Sequence, residues 1–433
     1  MTEETGIGSA IYELVEELFP LCRSLTGAGV RQTLRILQRR LPELTLHEVP
    51  SGTICYDWTV PREWNIREAY IEDPARRRVV DFRDNNLHVV GYSVPVDTTL
   101  TLEELQPHLY SLPERPNAIP YITSYYHETW GFCLSDTKRR MLRPGNYRVK
   151  IDSELKDGSL TYGEFLLAGE TTREIFVSTY VCHPSMANNE LSGPAVSLFL
   201  ARWLLGLKQR RYSYRIIFIP ETIGAIVYLS RHLTKLKQSV DAGFVVTCVG
   251  DDRAHSLVPS RAGNTMADLV AQHVLRHVAP NYHRYRFLDR GSDERQYCSP
   301  GVDLPMVAMM RSKYGTYPEY HTSDDNLAMV SPAGLAGGFG ALQHAIECLE
   351  MNATPSVVVR CEPQLGKRGL YPTLSTLNTR VQVRDMMNLL AYADGARSLL
   401  EIAEIIEVPM WKLKPICDRL VAAELLTVAP VGP

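Results

Sequence analysis

The stretch Ile175–Gly193 constrains the fold more tightly than any other part of this sequence. A β-branched run containing Phe176, Val177, Thr179 and Val181 reads as a buried strand. It stops at Cys182-His183-Pro184, passes a small polar turn, and restarts at Ser192-Gly193-Pro194 as the apolar helical run AVSLFLARWLLGL. A buried β-branched strand leading into an apolar helix belongs in a sheet covered on both faces. Open α/β sheets bind ligands beyond the carboxyl ends of their strands, which is where His183, Asn188, Asn189 and Glu190 fall. Imidazole and carboxylate are donors that zinc accepts. On its own, a histidine beside a proline also fits a structural role.

The same alternation continues to about residue 351. The strands are FVSTYVC, YRIIFIP, FVVTCVG and DLPMVAMM, separated by the helical runs AIVYLSRHLTKL and MADLVAQHVLRHV and followed by AGLAGGFGALQHAIECLEM. This predicts an α/β fold with a mostly parallel sheet and helices on both faces. Residues 53–162 differ: short β-rich segments recur about every ten residues, the pattern of an inserted, mostly antiparallel β domain. Its cluster Tyr125-Tyr126-His127-Glu128-Thr129-Trp130 reads either as a strand edge with mixed faces or as a lid bringing Tyr126 or His127 to a pocket. Ahead of it lie two helical segments, joined by Arg23-Ser24-Leu25-Thr26-Gly27, and the strand LTLHEVPSG. After residue 353, a loop rich in Gly, Pro and basic residues leads to helix, short helix, Val408-Pro409 turn, helix and β-prone tail, the order of a winged helix-turn-helix. The expected division is 1–52 with 163–353 as a discontinuous α/β domain, 53–162 as the β insertion, and 354–433 as linker and winged helix.

At 433 residues the chain exceeds one ordinary core, and 45% hydrophobic with 22% charged residues is a globular balance. A net charge of −3 gives no argument for nucleic acid or an anionic membrane as the main partner. Nine scattered cysteines without a CxxC pair suit reduced thiols. The opening MTEETGIGSA is no signal peptide, and no apolar run reaches the roughly eighteen residues of a membrane span. A cytoplasmic protein is expected.

Three further polar segments follow strands. Glu221 stands directly after YRIIFIP, either as a general base beside a metal or as a first-turn acid welcomed by the helix dipole. Tyr320-His321-Thr322-Ser323-Asp324-Asp325-Asn326 follows DLPMVAMM, where the aspartates are also candidates for capping a helix. Gly291–Gly301, with Asp293, Glu294, Arg295 and Tyr297, reads as a substrate-contacting loop or a surface loop with a local ion pair. In a parallel sheet the strand ends share one edge, so His183, Asn189 or Glu190, Glu221 and His321 become neighbours.

The motifs CHPSMANNELSGP, PETIGAI, GSDERQYCSPG and YHTSDDN resemble, over nearly the whole chain, an aminopeptidase-like family often found among polysaccharide-biosynthesis genes. More distantly, they resemble zinc aminopeptidases of the bacterial leucyl-aminopeptidase type. The resemblance implies a zinc-peptidase α/β domain with an inserted β domain and a winged helix. It implies His183 and His321 as zinc ligands, a third ligand from Asn189-Glu190, and Glu221 as general base. Asn189 stands where those aminopeptidases carry a bridging Asp, Thr222 where they carry a second Glu, and Thr247 where they carry a ligating Asp. A neutral amide bridges poorly, so Glu190 is the expected carboxylate ligand, with Asn189 less favoured. The ligand count then suits one zinc with two His, one carboxylate and an open position. The expected activity is hydrolysis of a peptide or amide bond in a small substrate. Asp293 or Glu294 are expected to bind an ammonium group, and Arg295, Lys367 or Arg368 a carboxylate, with Tyr297 and Tyr320 lining the site. Two other classes compete: an aminopeptidase-fold protein that binds without cleaving, and a DNA-binding regulator. From Arg380 onward there are six Lys/Arg against seven Asp/Glu and no basic stripe on the second helix, which disfavours DNA. Packing or homo-oligomer formation through this module is the expected alternative.

Overall fold

The computed structural model describes residues 3–370 and 377–430; positions 371–376, within the Gly- and Pro-rich linker, lie outside the described residues. Eight strands form the main sheet: β1 (Thr45–Pro50), β2 (Ser159–Leu167), β3 (Glu174–Tyr180), β4 (Ser213–Ile219), β5 (Val240–Val245), β6 (Ser256–Val258), β7 (His283–Arg284) and β8 (Met306–Met310), in the order β1-β2-β4-β3-β5-β8-β6-β7. The four central strands β4, β3, β5 and β8 are mutually parallel. β1 and β2 extend one side antiparallel, and β6 pairs antiparallel with β8 on the other. Every residue of β3 is buried, the polar Glu174, Ser178 and Thr179 included, as befits a central strand covered on both faces. The core gathers around this strand, with Phe176, Ile217, Val245 and Met306 in one cluster.

The chain leaves β3 through helix Ser192–Gly206 to reach β4, then crosses back through helix Ile223–Ser239 to β5 on the far side of β3. That reversal of direction opens a crevice beyond the carboxyl end of β3. Gly193 is required there: a Cβ would stand 2.3 Å from the Val246 carbonyl oxygen and 2.5 Å from Thr179 Oγ1.

The β-rich segment forms a separate four-stranded antiparallel sheet, ordered Arg78–Asp81, Glu63–Glu72, Asn146–Lys156, Val96–Thr101, with its own core of Ala69, Ile71, Phe132, Val149 and Ile151. The segment SLTYGEFLL, which crosses the expected boundary at 162/163, is β2 of the main sheet, with β1 and β4 paired to its two edges.

By contacts the chain forms two compact units, the first 1–267 with 283–339, the second 268–282 with 340–433. In the second, helices Leu377–Tyr392, Leu399–Ile405 and Met410–Ala422 are followed by strand Leu426–Pro430, which pairs antiparallel with Ala353–Val357. The winged-helix order read from the sequence is present, with a capping box from Ser398 and Glu401 opening the short helix. This unit reaches beyond 354–433 because segment 268–282 packs into it. His273 Nδ1 lies 2.6 Å from Glu404, His273 Nε2 accepts from the Met410 N–H at 2.9 Å, and His344 stacks on Trp411 at 4.4 Å. Among the described residues no helix is long and apolar enough to cross a membrane.

Candidate functional site

At the carboxyl edge of the parallel strands a pocket of about 360 Å³ opens, with Cys182 and His183 after β3, Glu221, Thr222 and Ile223 after β4, Arg295, and His321 after β8. Its remaining walls come from Leu25 in the first interhelical link and from Trp58, Tyr121, Thr123, Tyr125 and Tyr126 in the β-rich region.

The rings of His183 and His321 are 5.4 Å apart, and Tyr121 lies 5.0 Å from the first and 5.2 Å from the second. His183 is fixed from behind: Glu190 Oε2 is 2.7 Å from Nδ1, and the Arg23 Nε–H donates to the His183 carbonyl at 2.9 Å. Its Nε2 faces Glu221 Oε2 at 3.6 Å. The Glu221 side chain is 20% exposed, so it can be reached from the pocket. Burial raises its pKa above the ordinary value, against the opposing effect of His183 and Arg295. Burial and the nearby His183 push His321 down to about 3, so its ring is neutral, and its Nε2 is buried without a hydrogen-bond partner.

These distances decide which atoms can share an ion. Two donors at zinc bond lengths of about 2.0–2.1 Å stand roughly 3.3 Å apart in tetrahedral geometry. The 3.6 Å gap from His183 Nε2 to Glu221 is close to that spacing, whereas 2.7 Å from Nδ1 to Glu190 is a hydrogen bond. Cys182, His183 and Glu190 do place donor atoms within 4.8 Å of one another. Burial, however, holds the Cys182 thiol well above its ordinary range, and the second Glu190 oxygen accepts from the Cys182 backbone N–H. Glu190, the expected third ligand, thus has both oxygens engaged, one on His183 Nδ1 and one on the Cys182 N–H, an arrangement in which a carboxylate sets a histidine's tautomer and ring orientation. The reason is local backbone geometry: Ala187–Leu191 forms a π-turn that directs Glu190 back toward Nδ1.

Asn189, less favoured from sequence, is buried beside Glu190 in the same turn. Its Nδ2 donates to Tyr180 OH at 2.8 Å, which leaves Oδ1 buried and without a partner. Two imidazole nitrogens and one oxygen donor from this turn make a donor set compatible with one zinc ion and an open position, with Glu221 beside it. The positions that would carry further ligands are satisfied otherwise. Thr222 Oγ1 accepts from Arg295 at 2.6 Å, and Thr247 Oγ1 bonds Tyr180 OH at 2.6 Å and the Asn189 carbonyl at 2.7 Å.

The other expected contacts divide. Arg295 is exposed at the pocket. Asp293 is buried beneath it, its Oδ1 accepting the Thr222 N–H at 2.7 Å, and burial raises its pKa well above the ordinary value. Glu294 Oε1 ties its own loop by accepting from the N–H groups of Gly291 at 2.8 Å and Ser292 at 3.1 Å. Tyr297 is a core residue, bonded to Ser178 Oγ at 2.8 Å and packed edge-on against Phe176. Tyr320 stacks on His321 at 3.9 Å and so positions that ring. Lys367 and Arg368 belong to the second unit, in the short turn Gly366–Arg368. Of the two lid candidates Tyr126 lines the pocket, while His127 faces an adjoining cavity.

Sequence reasoning missed Trp58 and Tyr121, and read Asp325 only as a cap for the following helix. Asp325 caps the π-turn from 137 residues away, accepting from the N–H groups of Asn188 at 2.6 Å and Asn189 at 3.0 Å. Tyr121 is placed by its backbone N–H, which donates to the His321 carbonyl at 2.9 Å. Neither carries a local sequence signal. Backbone strain marks the same place: Ser185, Thr222, Cys248 and His321, none of them glycine, all have φ between 43° and 63°.

A family model described as a domain of unknown function (DUF4910) matches residues 12–352. The chain belongs to that family. A winged helix-turn-helix model matches residues 353–428. A Clostridium acetobutylicum relative of this DUF4910 chain, described as a "Putative polysaccharide biosynthesis protein with aminopeptidase-like domain", is 46% identical over 421 residues, 97% of this chain and 96% of its own. A crystal structure described as a "putative peptidase" from the same organism superposes with a TM-score of 0.93 at 45% identity, covering 98% of this chain and 97% of that one. The fold is aminopeptidase-like. A peptidase M28 precursor from Shewanella amazonensis matches with a TM-score of 0.56 at 11% identity over 83% of this chain and 97% of its own. BSAP, a zinc aminopeptidase from Bacillus subtilis, matches at 0.55 and 13% over 79% and 93%.

Proposed function

We propose that the protein is a zinc-dependent hydrolase of a peptide or amide bond in a small substrate. The observation that carries this reading is the pairing of two imidazoles 5.4 Å apart, one with an unpartnered buried Nε2, beside a reachable carboxylate. His183 Nε2, His321 Nε2 and Asn189 Oδ1 would hold the ion. Zinc would supply Lewis-acid polarisation of the scissile carbonyl. Glu221 takes a proton from the attacking water and passes it to the leaving amine; its raised pKa suits a group that must accept and release a proton. Glu190 and Arg23 fix the His183 ring, and Tyr320 fixes that of His321. Glu221→Gln is expected to lower kcat by roughly 10²–10⁴-fold with metal content unchanged, and His321→Ala to reduce the zinc measured by atomic absorption. Unchanged turnover in the first variant, or unchanged zinc in the second, removes the assignment.

One observation favours a second reading, an aminopeptidase-fold protein that binds without cleaving. Neutral groups stand at Asn189, Thr222 and Thr247, and both threonine hydroxyls are already hydrogen bonded. The name of the Clostridium relative points toward polysaccharide biosynthesis rather than protein turnover. Zinc-replete protein inert toward a panel of aminoacyl anilides, dipeptides and N-acylated amino acids and amino sugars supports this second reading.

A further inference from the structure

We infer that the pocket selects an amide with an anionic group on one side and an uncharged group on the other, the pattern of an N-acyl amino acid, and not a substrate with a free α-ammonium. This rests on the hydrolase reading for its chemistry but not for its binding preference. An ammonium group needs a carboxylate at the wall, and Glu221 is the one carboxylate lining this pocket. Its place is taken by the reaction and by His183 at 3.6 Å. The neighbouring carboxylates of Glu190, Asp293, Glu294 and Asp325 are all fully buried. Each also serves inward: Glu190 on His183 Nδ1, Asp293 on the Thr222 N–H, Glu294 on its own loop, Asp325 on the π-turn. The second oxygens of Asp293 and Glu294 have no partner among the described residues, but they are buried and neither residue lines the pocket.

The cation side is open. Arg295 is exposed, spends one N–H on Thr222 Oγ1 at 2.6 Å, and makes no ion pair among the described residues. A planar guanidinium with free donors at a pocket mouth matches a carboxylate. The opposite wall is apolar and aromatic, built from Leu25, Trp58, Tyr121 and Tyr125, with Tyr121 and Tyr125 bonding each other through their hydroxyls at 3.1 Å. A surface of this kind favours a neutral acyl or ring group and disfavours a charged amine. Hydrolysis of such a substrate breaks the C–N bond. The water oxygen joins the acyl carbon, a proton reaches the leaving nitrogen through Glu221, and a carboxylate and an amine result.

The test is calorimetric binding of hippurate (N-benzoylglycine) and of L-phenylalaninamide to the full chain carrying Glu221→Gln, so that neither probe is consumed. Hippurate is expected to bind more tightly than the amide. Adding Arg295→Gln should weaken hippurate by roughly ten- to a hundredfold, the scale of a charge-assisted hydrogen bond, with an unchanged melting temperature, and Arg295→Lys should restore part of the loss. Equal or tighter binding of phenylalaninamide, no effect of Arg295→Gln, or no hippurate binding at millimolar concentration overturns the inference. Hippurate selectivity in a wild-type protein without zinc or turnover would sink the hydrolase reading alone. Turnover of phenylalanine anilide in preference to N-acyl amino acids would sink the selectivity alone.

Discussion

At the scale of residues, the site turns on which nitrogen of His183 meets which carboxylate. Glu190 lies behind the ring at 2.7 Å from Nδ1, and Glu221 lies in front at 3.6 Å from Nε2. One spacing is a hydrogen bond and the other is close to what two donors around a common ion require. Under the proposed assignment Asn189 would complete the ion-binding face with a neutral oxygen where a carboxylate would bind more strongly. A full negative charge about 4 Å from a cation is worth several kcal/mol at an effective dielectric of about 20. Asn189→Asp is therefore expected to tighten zinc binding by roughly tenfold or more in a chelator competition assay; weaker or unaltered binding would show that this oxygen does not face the ion. The meeting of His183, Glu221 and His321 at one pocket was legible from sequence because each follows a buried strand. The turn of Glu190 toward His183 Nδ1 was not, since adjacent residues in a turn are separated only by the path of the backbone.

At the scale of elements, the sheet is tied at the end away from the pocket by a charged cluster. Arg215, near the start of β4, donates to Glu174 of β3 at 2.6 and 2.9 Å and to Glu164 of β2 at 2.6 Å, and its NH1 bonds the Tyr228 hydroxyl at 2.7 Å. Arg215 is buried. Removing one partner of such a network leaves uncompensated buried charge, so Arg215→Ala is expected to cost about 3–5 kcal/mol of unfolding free energy in urea titrations. A loss under about 1 kcal/mol would mean that the cluster adds little to the sheet. The turn after β4 is held as firmly. Thr222 has φ 63° and ψ −76°, a strained γ-turn closed by the Ile223 N–H donating to the Glu221 carbonyl at 2.8 Å. Asp293 and Arg295 grip it from the neighbouring loop. Strand identity and strand ends were readable from apolar runs. The π-turn and the γ-turn were not, because their stability comes from Asp325 and Asp293, 71 to 137 residues away.

At the scale of the whole molecule, acid sensitivity has a source apart from the pocket. His255 Nε2 accepts from Arg311, whose Nε–H donates to the Asp251 carbonyl at 2.6 Å. Burial, and then the Arg311 charge, lower the His255 pKa to about 4, against a smaller opposing effect of Asp251. The unfolded chain therefore takes up this proton first as pH falls. The contribution is intact above about pH 6.5 and is lost on acidification toward about 4. Urea midpoints should fall over that window, and His255→Asn should flatten the fall; an identical pH profile would exclude this histidine as the cause. For the winged helix, the near balance of charge predicts no shift of random duplex DNA in gels at low salt, and retardation that weakens with salt would reverse that reading. The sequence by itself determined the alternation of strands and helices, three of the four polar strand ends, the β-rich insertion and the order of the winged helix, because hydrophobic period and turn chemistry are local properties of a chain. The fourth polar segment, Gly291–Gly301, precedes β8 and follows no buried strand. The tertiary structure alone decided that β2 belongs to the main sheet, that residues 268–282 join the winged-helix unit, that Glu190 backs a histidine, and that Tyr121 and Trp58 wall the pocket. Each of these depends on partners distant in sequence, and no local pattern records a contact that only packing creates.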